Sequence, residues 1–311
     1  MNMGSKTMNI LLCIDDFKWD YTRHCAVTIL SLLETNKNHK IKIFIMSSCL
    51  SEENIKELKR IVKLYNQEIE FIIRDNIMPE EIKKSVINRR NLTWWTWYRL
   101  FFPLYIKNID RLLYLDCDVL VTKDIEDIYN MDMKWKAIVW SNDITSSCIK
   151  LQEFCLDNYV NAGVLLFDVK KYDVDKINLN DIRIINDKYW NFIKDSDQDY
   201  LNVVFNNEIF VENEEMNYLV LNKFFNKWID KAKMVHCVQK PYVQFARVPS
   251  KYVKLYYKYL NLTKWKNYPK QKDRYGILRL IYGFCVYLLE EVLWKKNRKS
   301  LLLFLWRLKN F

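Results

Sequence analysis

The sequence predicts an α/β fold built on a mainly parallel sheet. Three observations carry this: short apolar runs alternate with segments of helical period, several of the apolar runs end in aspartates, and the chain can bury a large core. It has 311 residues, 50% of them hydrophobic and 28% charged, with only 4 Gly and 5 Pro. That composition excludes a disordered or collagen-like chain and suits one large domain with an appendage.

The elements follow in order. Asn9 to Ile14 is an apolar run closed by Asp15 and Asp16, which reads as a buried strand. Cys25, Ile29, Leu32 and Leu33 fall at helical spacing within Thr22 to Leu33. A second strand is expected at Ile41 to Met46. Ser51 followed by Glu52 and Glu53 is a helix start, with a capping hydroxyl and acids that favour the helix dipole. That helix runs to about Tyr65, and Ile69 to Ile73 returns to strand. Further strands are expected at Leu112 to Leu115, Ala137 to Trp140, Val164 to Val169 and Met234 to Val235. This alternation is the pattern of strand-helix-strand units. From about Ser250 the character changes to Tyr, Lys, Leu and Trp, and no strand is expected. The domain boundaries read as 8–250 for the α/β domain and 251–311 for a basic, aromatic-rich helical tail.

Asp116-Cys117-Asp118, at the end of an apolar strand, is the sharpest local signal. In extended chain, residues two apart project to the same side, so both carboxylates are expected to face one spot. Ligands of open α/β sheets bind beyond the carboxyl ends of the strands, and two hard oxygen ligands there suit Mg2+ or Mn2+. A bare Asp-x-Asp pair is also common in solvated loops, so its context decides.

That context is the segment Tyr114 to Val121, followed by Asn161-Ala162-Gly163-Val164-Leu165-Leu166-Phe167, then Asp197-Gln198-Asp199 opening a helix. Before them stand the first strand with Asp15, Asp16 and Tyr21, and Tyr98-Arg99-Leu100; after them comes His236 with Lys240-Pro241-Tyr242. Together, in this order, these elements resemble the family 8 retaining glycosyltransferases of GT-A fold, in particular the bacterial lipooligosaccharide galactosyl- and glucosyltransferases. The resemblance implies a UDP-sugar donor and transfer of a hexose, glucose or galactose, to a lipid-linked or cell-surface glycan through an α-linkage.

Site residues carry over position by position. The resemblance implies that Asp116 and Asp118 bind Mn2+ (or Mg2+) with the donor diphosphate, and that His236 adds an imidazole, which suits Mn2+ better than Mg2+. Lys240 adds a point charge to the same phosphates. Asp15 accepts from the uracil, Tyr21 stacks on it, and Asp20 contacts the ribose. Asn161, Asp197 and Gln198 hold the transferred sugar, with Arg99 reaching its hydroxyls or the phosphate. Ala162 and Gly163 bind the donor, the glycine where backbone approaches ligand closely. Gln198 and Asp197 are the catalytic candidates. An amide is a poor nucleophile, so a front-face ion-pair mechanism is favoured over double displacement. Two departures stand out. About three extra residues separate Asp15 from Tyr21, and Gln239 replaces the glycine usual after the histidine, in a shortened segment ending at Lys240. Three alternatives stay open: a UDP-N-acetylhexosamine-using member of the family, a nucleotidyltransferase built on the same sheet and Asp-x-Asp pair, and a catalytically degenerate membrane-binding protein, which the altered His236 to Lys240 segment motivates.

Charge is unevenly spread. Residues 264–311 hold 12 Lys and Arg against 3 Asp and Glu, a net +9 out of the protein's +11. Ile277, Ile281, Phe284, Leu288 and Val292 fall at helical spacing there, as do Leu301, Leu305 and Leu308, with Trp265, Trp294 and Trp306 among the bases. Basic amphipathic helices of this composition lie in a membrane interface, so an anionic membrane surface is the expected partner rather than nucleic acid. Eight scattered cysteines without a Cys-x-x-Cys pair read as reduced thiols. No secretory signal is evident, and no apolar run approaches the about 20 residues of a spanning helix. The expected location is cytoplasmic, peripherally on the inner face of the cell membrane.

Overall fold

The computed structural model describes residues 7–16, 21–89, 93–141, 147–212, 216–219, 232–237, 243–244, 251–269 and 271–272. Asp20, Lys240 and the tail residues 273–311 lie outside the described residues, and with them the amphipathic pattern from Ile277 to Leu308.

The chain begins with β1 (Met8–Cys13), α1 (Thr22–Thr35), β2 (Ile41–Ser47), α2 (Glu52–Leu64) and β3 (Glu68–Ile73). Two short helices, α3 (Glu80–Ser85) and α4 (Trp95–Phe101), lead into β4 (Arg111–Leu115), β5 (Val119–Val121) and α5 (Glu126–Asn130). Next come β6 (Ile138–Ser141), α6 (Ser147–Phe154), β7 (Val164–Asp168), α7 (Leu179–Tyr189) and α8 (Asp197–Val204). The described chain closes with β8 (Ile209–Glu212), β9 (Tyr218–Leu219), β10 (Met234–His236), β11 (Val243–Gln244), α9 (Lys251–Leu260) and β12 (Gln271–Lys272).

Seven strands form one sheet in the order β3-β2-β1-β4-β7-β6-β8. β7 runs antiparallel to both its neighbours, and the other pairings are parallel, which gives the mixed, mostly parallel sheet expected. Both faces are covered, and this is why the strands read as continuous apolar runs. The period of two sorts β1 between two cores. Ile10 and Leu12 face the cluster built with α1, α2 and β5, whereas Leu11 and Cys13 face the cluster built with α4, α7 and α8.

Local chemistry explains the helix starts. Ser51 caps α2 by accepting from Asn54 N at 3.2 Å, with Glu52 and Glu53 in the first turn. Asp16 caps α1 from outside the helix: its carboxylate accepts from Tyr21 N (3.2 Å), Thr22 N (3.1 Å) and Asn54 Nδ2 (2.9 Å). The second aspartate of the first pair is therefore structural, holding the entry of α1 against α2.

A small second sheet, β5-β10-β9, leaves the main one at the end of β4. β10 runs antiparallel to β5 with His236 opposite Val119, and Cys237 N donates to the Asp118 carbonyl at 2.9 Å. This pairing carries residue 236 back to the Asp-x-Asp turn.

Residues 251–269, assigned by composition to the tail, pack on the α/β core. Val253, Tyr256, Tyr259, Leu260 and Trp265 are buried in the same cluster as α1, and the Tyr256 hydroxyl lies 2.8 Å from His24 Nδ1. Arg23 sits over the Tyr268 ring at 4.0 Å, and Lys264 N donates to Glu57. Strand pairing also continues past residue 250, because β12 pairs with β11. The face of α9 that carries Val253, Tyr256, Tyr259 and Leu260 packs in the cluster with α1. Among the described residues, no helix is long and apolar enough to cross a membrane. Trp265→Ala is expected to cost about 3 kcal/mol, read as a lower urea midpoint at unchanged slope; a segment detached from the core would show no shift.

Candidate active site

β4 ends at Leu115, and the chain turns rather than continuing extended: Val119 N donates to the Asp116 carbonyl at 3.1 Å, closing a turn through Cys117 and Asp118. Convergence of the two carboxylates thus comes from this turn and from β10, and not from the alternation of an extended strand. Among the described residues, Asp116, Asp118 and His236 form a group that could hold a metal ion, with one ligand atom from each within 4.8 Å of the others. His236 Nε2 lies 3.1 Å from Asp118 Oδ1 and 3.7 Å from Asp116 Oδ2.

Three features fit these residues to a divalent cation. The donor set is two carboxylates and an imidazole, with net negative charge. His236 is buried and its Nδ1 has no hydrogen-bond partner among the described residues. The third feature is Gly163, which immediately precedes β7 and whose carbonyl accepts from Asp116 N at 2.8 Å. A Cβ on Gly163 would lie 2.1 Å from His236 Cε1, 2.6 Å from Nδ1 and 2.9 Å from Asp116 Oδ2. The backbone there takes no left-handed conformation, so glycine is required for space alone.

Electrostatics within the cluster are mutual. Burial disfavours a charged His236 ring, but the adjacent Asp118 and Asp116 carboxylates outweigh it and raise the imidazole pKa. For Asp118 burial likewise opposes charge, and His236 beside it holds the carboxyl below its usual range.

Arg99, on α4, joins this cluster to the start of α8. It is buried, and Nη1 donates to Asp116 Oδ1 at 3.0 Å and to the Ala162 carbonyl. Nε donates to the Thr96 carbonyl at 2.5 Å, while Nη2 lies 3.0 Å from Asp197 Oδ2. The guanidinium stacks over the Tyr114 ring at 4.8 Å, and the Tyr114 hydroxyl also donates to Asp116. Burial pushes the Asp197 carboxyl up to about 6 against the pull of Arg99.

Asn161, Ala162 and Gln198 form one connected group. Gln198 Oε1 accepts from Ala162 N (2.9 Å) and Asn161 Nδ2 (3.2 Å), and Asn161 Oδ1 accepts from Gly163 N (2.9 Å) and Asn217 Nδ2 (3.1 Å). Ser196, just before Asp197, has φ 48°, a strained value for a residue with a side chain. Trp97 Nε1 pins it by donating to its hydroxyl at 3.0 Å.

The residues expected at the nucleotide end lie at the carboxyl edge of β1. Asp15 is buried and accepts from Ser48 N and Ser48 Oγ, both at 2.7 Å; burial raises its pKa despite these donors. The Tyr21 ring packs against Trp95, centroids 4.4 Å apart, and edge-on to His24.

The glycosyl transferase family 8 model matches residues 9–242. The chain belongs to this family. Its mixed α/β fold is GT-A-like, and the sequence elements around Asp15, Arg99, Asp116, Asn161, Asp197 and His236 all fall inside the matched span. General stress protein A of Bacillus subtilis is 26% identical over 280 residues, covering 83% of this chain and 94% of that protein. Lipopolysaccharide 1,2-glucosyltransferase of Escherichia coli is 24% identical over 291 residues, 86% of this chain and 82% of that one. The crystal structure of galactosyltransferase LgtC with donor and acceptor sugar analogues superposes with a TM-score of 0.68 at 21% identity, covering 84% of this chain and 99% of that chain.

In this family 8 glycosyltransferase the sequence reading missed a layer behind the site. Asp199, Tyr159, Lys150 and Asn217 are buried polar groups bonded to or near Gln198 and Asn161. Asp199 was visible as the last residue of Asp197-Gln198-Asp199, but nothing local distinguishes a buried acid there from a solvated one. Gly163→Ala is expected to displace His236 or Asp116 and weaken divalent-cation binding at least about tenfold, read by calorimetric Mn2+ titration, while far-ultraviolet circular dichroism stays unchanged.

Proposed function

We propose that the chain transfers a hexose, glucose or galactose, from a UDP-sugar to a lipid-linked or cell-surface glycan with retention, giving an α-linkage. The observation that carries this is the Asp116-Asp118-His236 cluster at the carboxyl end of β4, coupled through Arg99 to Asp197, the neighbour of Gln198 in sequence. The acceptor class is supported by relatives whose names are lipopolysaccharide 1,2-glucosyltransferase and lipopolysaccharide 1,3-galactosyltransferase.

Asp116, Asp118 and His236 hold Mn2+, which supplies a Lewis acid for the charge gathering on the departing UDP. Asp15 receives the uracil imide and Tyr21, seated on Trp95, offers its ring beside it. Asp197 and Asn161 bind hydroxyls of the transferred sugar. Gln198 stands at the reacting face and steadies positive charge in the transition state, because its amide is too weak a nucleophile to displace the leaving group. Arg99 holds Asp116 and Asp197 in place. Its Nη2 end, ion-paired with Asp197 but without a hydrogen bond among the described residues, is the part that reaches the donor's hydroxyls or phosphate. Asp20 and Lys240 keep their proposed ribose and phosphate contacts on the strength of the sequence resemblance alone.

A panel of UDP-sugars with Mn2+ tests the reading. UDP-glucose or UDP-galactose is expected to be hydrolysed slowly with release of UDP, and Asp118→Ala is expected to lower this by at least about 100-fold. Release of pyrophosphate would identify a nucleotidyltransferase, turnover confined to UDP-N-acetylhexosamines would move the donor class, and a stable covalent glycosyl-enzyme on the unmodified protein would overturn the front-face mechanism.

Membrane association through the basic residues beyond 272 is the second part of this reading, supported by the 8 Lys and Arg against 3 Asp and Glu of residues 273–311, a net +5. Because Trp265 and Tyr268 pack with the core, the informative truncation falls after Lys272. The shortened protein is expected to leave anionic vesicles in a sedimentation assay while the full chain stays bound; retention of both would overturn it.

A further inference from the structure

Behind Gln198 lies a one-way chain of hydrogen bonds that the proposed reaction does not use directly. Asp199 is fully buried at the first turn of α8. Its carboxylate accepts from Lys150 Nζ (2.7 Å), Tyr159 Oη (2.5 Å), Lys194 N (2.7 Å) and Asp195 N (2.6 Å). A carboxylate so supplied is an acceptor only, so the hydroxyl hydrogen of Tyr159 is spent on it. Burial, reinforced by Asp199 and Asp195, keeps that phenol protonated well beyond its ordinary pKa. The Tyr159 oxygen is then left with lone pairs, and it accepts from Gln198 Nε2 at 3.1 Å.

Direction is fixed from the other side as well. Gly163 N can only donate, which makes Asn161 Oδ1 the acceptor and turns Asn161 Nδ2 toward Gln198 Oε1. Ala162 N donates to the same oxygen. A flipped Gln198 would oppose two acceptors at Tyr159 and donors at Ala162 and Asn161. With its oxygen end alone held, the amide could still pivot; the Tyr159 contact supplies the second point and so fixes its plane.

We infer that Tyr159 is a positioning residue: anchored on Asp199, it holds the nitrogen end of the Gln198 amide and thereby aims that amide at the reacting sugar. This rests on the donor-sugar reading of Gln198 given above. Lys150, buried and 3.3 Å from Asp195 as well, compensates the charge of the anchor.

Tyr159→Phe keeps the ring and removes the chain. With Mn2+ and the UDP-sugar that the wild type turns over, kcat is expected to fall about tenfold, while KM and Mn2+ affinity stay within about twofold. In a Gln198→Ala background the same substitution is expected to change kcat no further. Full additivity of the two substitutions, or a loss carried by KM or by Mn2+ affinity, would overturn the inference. A second readout needs no turnover. In protein labelled with 15N-glutamine, the side-chain NH2 signal of Gln198, assigned by its disappearance in Gln198→Ala, is expected to resist solvent exchange in the wild type and to lose that protection in Tyr159→Phe. An unprotected signal in the wild type, or unchanged protection in Tyr159→Phe, sinks the inference. If the wild type turns over no UDP-sugar, the donor reading fails while the exchange measurement still decides whether Tyr159 holds Gln198.

Discussion

The buried guanidinium of Arg99 is the interaction on which the rest of the site depends. Burying a cation is costly unless its charge is compensated, and here Asp116 and Asp197 pair with it while the carbonyls of Ala162 and Thr96 accept from it. Each partner comes from a different part of the chain: the end of β4, the first turn of α8, the segment before β7 and the helix of Arg99 itself. Satisfying one side chain thus brings together the acids proposed for the metal and those proposed for the sugar. Their spacing is set before any ligand arrives, which is what electrostatic stabilisation of a transition state requires.

Close packing does the same for the metal cluster. The absence of one Cβ at Gly163 lets the His236 ring and the Asp116 carboxylate approach the backbone ahead of β7. The antiparallel register of β10 with β5 then brings His236 beside Asp118. Burial alone would disfavour charge on both His236 and Asp118; side by side they compensate, with His236 raised and Asp118 lowered. The strained backbone at Ser196, pinned by Trp97, precedes the start of α8, where Asp197 reaches Arg99.

Much of the fold could be read from local pattern. Every strand expected from an apolar run, from Asn9–Ile14 to Met234–Val235, is present, because a sheet covered on both faces leaves a signature that needs no tertiary information. The capped start of α2 at Ser51 was legible for the same reason, since a cap is a contact between neighbours in sequence. The membership of the family was legible in Asp116-Cys117-Asp118 and the motifs around it. Less legible was the segment 251–269: its Tyr-Lys-Leu composition is that of an amphipathic helix, and composition does not say whether the apolar face meets lipid or another helix. Here it meets α1.

The sequence by itself determined the strand and helix order, the acids at the carboxyl ends of β1 and β4, and the uneven placement of charge, because each of these is a property of neighbouring residues. Tertiary structure alone decided that Asp16 caps a helix while Asp15 faces Ser48, that Arg99 pairs with Asp116 and Asp197, and that Tyr159 and Asp199 stand behind Gln198. The reason is physical. A hydrogen bond between residues 40 or 90 positions apart depends on which strands pair and in what register, and no local preference of either residue encodes it.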